Sequence, residues 1–163
     1  MKIFLDTADT SAIEKAYTTG IIDGITTNPT LIRKSGRDPE EVYQELIDLV
    51  NVNVTLIFSP AQAILAAKSG AKYVSPFVGR VDDNSFVGMD LIEQISDIYT
   101  IQNVNKTEIL SASIRDVKSV SDSFASGAHV VTMPPTVFEK MYNHVLTDKG
   151  LYLFDMDWAQ VKR

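Results

Sequence analysis

One unit recurs three times along this chain and limits what it can fold into. A helix ends in a small residue followed by glycine, a strand follows, and a proline closes the unit. The instances run from Thr19-Gly20 to Pro29, from Ser69-Gly70 to Pro76 and from Ser126-Gly127 to Pro134. Glycine allows the left-handed turn that ends a helix, and proline ends a strand and opens the next helix. The strand runs are short, apolar and not alternating, as expected of parallel strands buried on both faces. Such a repeat suits a barrel better than a doubly wound sheet. No Gly-rich dinucleotide fingerprint follows the first strand, where a Rossmann domain would want one.

Along the chain, strands are expected at 3–5, 24–27, 52–57, 73–75, 107–111 and 129–132. Helices are expected at 11–18, at 38 to about 50, at 59–70, at 87–101, from Asp116 to before Gly127, around 137–142, and at about 149–162. Asp38 and Asp116 are N-caps, and Pro39 and Pro60 sit at first helical positions. A polar loop is expected from the fourth strand through Asn84.

This predicts an α/β fold, a TIM-type (β/α) barrel over 1–163, with two of the eight βα units missing. Six strands are countable where eight are needed. One junction marks the place. Leu46-Ile47-Asp48-Leu49-Val50 runs into Val52-Asn53-Val54-Thr55 with only Asn51 between them, whereas helix-to-strand connections usually take about 2–6 residues. Either Asn51 makes a tight turn, or two βα units have been removed at this seam.

Composition closes several function classes. The net charge of −6 argues against a general nucleic-acid or anionic-membrane binder. The chain has no cysteine, hence no disulfide, zinc-thiolate site or thiol nucleophile. The apolar run before Asp6 is too short for a signal peptide, and no stretch approaches a membrane span. A soluble cytoplasmic protein is the resulting expectation.

In barrel enzymes the chemistry sits at the C-terminal ends of the strands. Here those positions hold Asp6, then Thr26-Thr27-Asn28, then Ser75, Phe77 and Arg80, then Ser113 and Arg115, with Asn53 and Thr55 inside the third strand. Two arginines and a hydroxyl suit a phosphate, because guanidinium forks match its oxygens. An aspartate among amides and hydroxyls suits a polyol and one proton transfer. Blander roles stand beside these. Asp6 fits a helix cap, Thr26-Thr27-Asn28-Pro29 a turn into a helix, Arg80 a surface ion pair with Asp82 and Asp83, and Arg115 one with Asp116. Asn53 on an apolar strand needs hydrogen-bond partners. His129 and His144 lack partners at ligand spacing and read as structural. Trp158 is expected to pack on the barrel or on a neighbouring subunit.

At these residues the chain resembles the transaldolase and fructose-6-phosphate aldolase family. The resemblance runs through Phe4-Leu5-Asp6-Thr7-Ala8-Asp9, Gly24-Ile25-Thr26-Thr27-Asn28-Pro29-Thr30, and Asn53-Val54-Thr55-Leu56-Ile57-Phe58-Ser59. It continues through Val74-Ser75-Pro76-Phe77-Val78-Gly79-Arg80, Ala112-Ser113-Ile114-Arg115 and Thr132-Met133-Pro134-Pro135. The tail, Leu146 to Leu151 with Asp157-Trp158, is similar to that of small bacterial and phage transaldolases. The resemblance implies transfer of a dihydroxyacetone unit between sugar phosphates through a lysine Schiff base, with no cofactor or metal. It places the chain in the carbohydrate metabolism of the pentose phosphate pathway and implies a homo-oligomer. It implies that Asp6 is the acid/base and that Thr55 helps hold the catalytic water. Thr27, Asn28, Asn53 and Ser75 line the sugar site, Phe77 is an aromatic wall, and Arg80, Ser113 and Arg115 hold the phosphate. Phe77, Asn53 and the Ser113–Arg115 pair favour transaldolase over aldolase. The family's Schiff-base lysine segment has no counterpart here. It belongs at the Val50–Asn51 seam, and none of the ten lysines is placed to replace it. A non-catalytic sugar-phosphate binder and a structural barrel remnant are the alternatives.

Overall fold

A computed structural model of the chain describes residues 1–36 and 53–161. Its strands are β1 (Lys2–Asp6), β2 (Gly24–Thr26), β3 (Asn53–Ile57), β4 (Tyr73–Pro76), β5 (Glu108–Ser111) and β6 (Val130–Met133). Its helices are α1 (Thr10–Tyr17), α2 (Pro29–Ser35), α3 (Pro60–Lys68), α4 (Val78–Asp82), α5 (Gly88–Ile101), α6 (Val117–Ala125), α7 (Pro135–Lys140) and α8 (Val145–Val161). The helix expected at 38–50 and the Val50–Asn51 seam lie outside the described residues.

The strands form one parallel sheet in the order β2-β1-β6-β5-β4-β3. The first strand therefore pairs with the last, as in a closed barrel, but the sheet ends at β2 and β3. Among the described residues this is a curled partial (β/α) barrel whose edge strands are β2 and β3. Curling is visible in side chains that meet across intervening strands. The Phe4 and Tyr73 rings, on β1 and β4, lie edge to face at 6.1 Å.

Two cores flank the sheet. The larger, between sheet and helices, centres on Leu5, Val74, Ile92, Ile95, Ile109 and Val131. The smaller fills the barrel interior with Leu110, Ala112 and Val130, against Phe4, Tyr73 and Phe77. Successive strand residues face opposite ways, so Phe4, Asp6, Tyr73 and Ser75 share the inner face. Gly24 belongs there too, because a Cβ on it would lie 2.8 Å from the Phe4 ring.

At the other end from Asp6, Lys2 Nζ donates to both Glu108 oxygens (2.9 and 2.7 Å) and Lys72 Nζ to one (3.2 Å). Beside this cluster His129 Nδ1 accepts from the Ile109 amide. His144 Nδ1 accepts from the Leu146 amide, so both histidines hold backbone.

Three expectations need correction. The polar loop after β4 contains α4, which Phe77 precedes. The turn at Thr26-Thr27-Asn28-Pro29 does lead into a helix, α2, which is missing from the expected helices and is capped by Asn28, whose Oδ1 accepts from the Thr30 and Leu31 amides (3.1 Å each). The C-terminal helix begins at Val145, four residues early, after His144 accepts the Thr147 and Asp148 amides at its carbonyl.

Candidate active site

Asp6 closes β1 on the inner face, in register with Thr26 of β2. Thr26 Oγ1 donates to Asp6 Oδ1 (3.0 Å) and lies 2.5 Å from Thr132 Oγ1 of β6. A hydroxyl has one proton. With Thr26 donating to Asp6, Thr132 is the donor to Thr26. Three neighbouring strands thus carry a hydroxyl chain that ends on one carboxyl. Burial pushes the Asp6 pKa above the usual carboxylate value, and the Thr26 bond only partly opposes it. A carboxyl so placed can take or return a proton. The cap of α1 is instead Asp9, whose Oδ1 accepts from the Ser11 and Ala12 amides.

Across the sheet, the buried Ser75 Oγ donates to Asn53 Oδ1 at 2.8 Å. The amide that the sequence left in need of a partner has one in Ser75. Thr55 follows on β3, where pairing with β4 slips between Val54 and Ile57 and Leu56 takes a φ of 59°. Thr55 is exposed. Asn28 is committed through Oδ1 to α2, leaving its Nδ2 as donor. Thr27 Oγ1 is buried without a hydrogen-bond partner.

The third group lies where α4 meets the segment after β5. Val78 N donates to the Ala112 carbonyl (3.0 Å), drawing α4 against that segment. Gly79 makes the approach possible. A Cβ there would lie 2.3 Å from the Ser113 carbonyl oxygen, 2.8 Å from Arg115 Nε and 3.0 Å from Ser113 Oγ. Ser113 has a φ of 61°, which turns the chain back toward Gly79. Arg80 lies with its guanidinium carbon 5.0 Å from the centre of the Phe77 ring, and Phe77 meets Phe58 edge to face at 6.1 Å. Arg115 pairs with Asp83, not with the adjacent Asp116. Its two terminal nitrogens each lie 2.5 Å from one Asp83 oxygen. Asp116 caps α6, accepting from the Ser119 amide. Arg80 makes no ion pair among the described residues.

The model of the transaldolase/fructose-6-phosphate aldolase family matches residues 3–50 and 48–162. The chain belongs to this family. Its two matched pieces meet at the Val50–Asn51 seam. A probable transaldolase of Paracoccus denitrificans (strain Pd 1222) is 43% identical over 212 residues, covering 98% of this chain and 97% of that one. Probable transaldolases of Caulobacter sp. (strain K31) and Caulobacter vibrioides (strain NA1000 / CB15N) are each 43% identical over 211 residues, with the same coverage. An alignment over 212 residues is longer than this chain's 163, so roughly fifty positions of the Paracoccus relative have no counterpart here.

Within this transaldolase-family chain, sequence reasoning missed Thr132, Gly79 and Asp83, and gave Thr26 no role of its own. Thr26 and Thr132 read as ordinary strand formers. Their parity with Asp6, two residues beyond Gly24 and Val130, was the available signal. Arg80 also borders an open cleft of about 580 Å³ with Phe58, Asn84, Phe86 and Gln94. That cleft lies between α3, α4 and α5 and includes neither Asp6 nor Ser75. The polar groups at the strand ends, rather than the cleft, define the candidate site.

Proposed function

We propose that this chain is a transaldolase-type barrel that binds a ketose phosphate, and that dihydroxyacetone transfer by the 163-residue chain is very weak or lost. Arg80, Arg115 and Ser113 take the phosphate. Asn28, Asn53 and Ser75 take the carbonyl and hydroxyls of the three-carbon end, with Thr27 beside them. Phe77 forms a wall, and Asp6 moves the proton, with Thr55 toward the water. In the intact family a lysine imine is the electron sink for retro-aldol cleavage.

The observation that carries the doubt about turnover is where the amines lie. A Schiff-base lysine must be neutral in a desolvated pocket to attack a carbonyl. The lysine that begins β1, Lys2, is held by Glu108 at the wrong end, roughly 13 Å of strand from Asp6. The Glu108 hydrogen bond raises its pKa and keeps it an ammonium. Lys72 shares the same carboxylate. Lys15, Lys34, Lys68, Lys106, Lys118, Lys140 and Lys149 are exposed. Lys162 lies outside the described residues.

The test is imine trapping. The protein is incubated with fructose 6-phosphate, reduced with borohydride and weighed intact. An unmodified 18.0 kDa chain is expected. A stoichiometric sugar-derived adduct would show that some lysine has taken the missing role.

We further propose, as part of the family reading, that the chain acts in cytoplasmic sugar-phosphate metabolism as a homo-oligomer. No helix of the described residues is long and apolar enough to cross a membrane. Assembly is supported by α8, which buries none of its residues and exposes Leu151, Phe154, Met156 and Trp158. A monomer in native mass spectrometry would remove the assembly reading.

A further inference from the structure

The geometry points to Asp83 as an internal competitor for the phosphate site: its carboxylate occupies the fork between the two terminal nitrogens of Arg115, and a sugar phosphate that takes that fork must displace it. The inference rests on the reading of Arg80, Ser113 and Arg115 as the phosphate group.

Position explains the pairing. Gly79 and Asp83 are four residues apart along α4 and its C-terminal cap, and the Asp83 amide donates to the Gly79 carbonyl (3.1 Å). Residues at this spacing stack on one helix face. Arg115 runs along that face, with Nε against Gly79 and both terminal nitrogens on the two Asp83 oxygens. A carboxylate and a phosphate use the same pair of donors on a guanidinium. While Asp83 holds that pair, Arg115 keeps the Nε–H and one further N–H on each terminal nitrogen, but not the fork between them. Arg80 makes no such pair among the described residues, yet its charge also acts on Asp83 and helps hold that carboxyl below its usual pKa. The carboxylate thus interacts with both arginines proposed to receive the phosphate.

Magnitude decides whether such a pair is a lock or a threshold. Both partners are about half exposed, 53% and 50%. Exposed ion pairs are individually weak. A phosphate monoester carries more charge than a carboxylate and has Arg80 and Ser113 to add, so it can open the fork. The pair then lowers phosphate affinity by up to about fivefold and competes with weaker anions for Arg115.

The test is calorimetric titration of the full chain with fructose 6-phosphate and, separately, inorganic phosphate. Wild type is compared with D83N, R115A, D83N/R115A and D122N. Asp122 pairs with Lys118 on α6, so D122N makes the same charge change away from the fork. D83N is expected to bind both ligands more tightly, by up to about fivefold, with D122N matching wild type. The gain should vanish in D83N/R115A relative to R115A. Equal or weaker binding by D83N would overturn the inference, since Asp83 would then be holding Arg115 in position. An equal gain in D122N would also overturn it, by reducing the effect to net charge. No binding by any protein, or R115A binding like wild type, would instead reject the phosphate reading itself.

Discussion

Asp6 shows how one residue's function and stability pull against each other. Burial raises its pKa, so the folded chain binds this proton more tightly than the unfolded chain does. That stabilisation is complete below the ordinary carboxylate pKa and is lost as pH rises through the folded value. Ionising Asp6 in the folded chain therefore places a charge in a partly buried position. Asp6→Asn retains an oxygen for the Thr26 hydroxyl and removes the charge. D6N is expected to melt on the order of a few degrees above wild type at pH 7. The two curves should approach each other as pH falls below the ordinary carboxylate pKa, where Asp6 becomes protonated in both states. Thermal melts across pH 3.5–7 check this, and a constant offset would point to a cause other than ionisation.

At the same scale the sequence was legible where a polar side chain interrupts an apolar strand. Asp6, Asn53 and Ser75 stand out for that reason, and Ser75 does pair with Asn53. Arg115 was not legible in the same way. Its nearest acid in sequence is Asp116, but that carboxylate caps α6. Its partner is 32 residues away on a different element. Local charge spacing describes the unfolded neighbourhood of an arginine, whereas the fold selects its partner.

Among elements, α4 was the one concealed by composition. Val78-Gly79-Arg80-Val81-Asp82 contains a glycine and two β-branched residues, all weak helix formers. It is helical because tertiary contacts hold it. Val78 is buried, and its amide bonds the Ala112 carbonyl next to β5. Gly79 is the residue on which this depends. In an unconstrained helix Gly79→Ala would be favourable by about 0.5–1 kcal/mol. Here the new Cβ would lie 2.3 Å from a backbone oxygen that has no rotamer with which to retreat. Overpacking against backbone typically costs about 1–3 kcal/mol, so the clash outweighs the propensity. G79A is expected to melt below wild type and to lose phosphate affinity, because Ser113 and Arg115 must both move. Melting and titration of the same sample check it. A more stable G79A with unchanged binding would show that α4 and the Ser113 segment are not held together as described.

At the scale of the molecule, the repeat in the sequence carried the architecture, because each helix–Gly–strand–Pro unit places one parallel strand. Its arithmetic also pointed to the opening: six strands where eight are needed, and a junction with only Asn51 between a helical and a strand run, lead to the expectation of a break between the second and third. The sheet has its two ends at β2 and β3. What the repeat could not supply was the state of those ends. Edge strands present unpaired amides that another chain can use, and α8 leaves a large apolar surface for assembly. Hydrogen exchange separates an open barrel from one closed by association. β1, β4, β5 and β6 each have a strand on both sides, while β2 and β3 each have one among the described residues. In an open barrel the β2 and β3 amides should exchange faster than those of β5 and β6, on the order of tenfold or more. Protection of β2 and β3 equal to that of β5 and β6 at high protein concentration, and lost on dilution, would mean that a second copy closes the gap. Equal protection that survives dilution would mean that the chain closes it alone, and the open sheet would not describe the protein in solution.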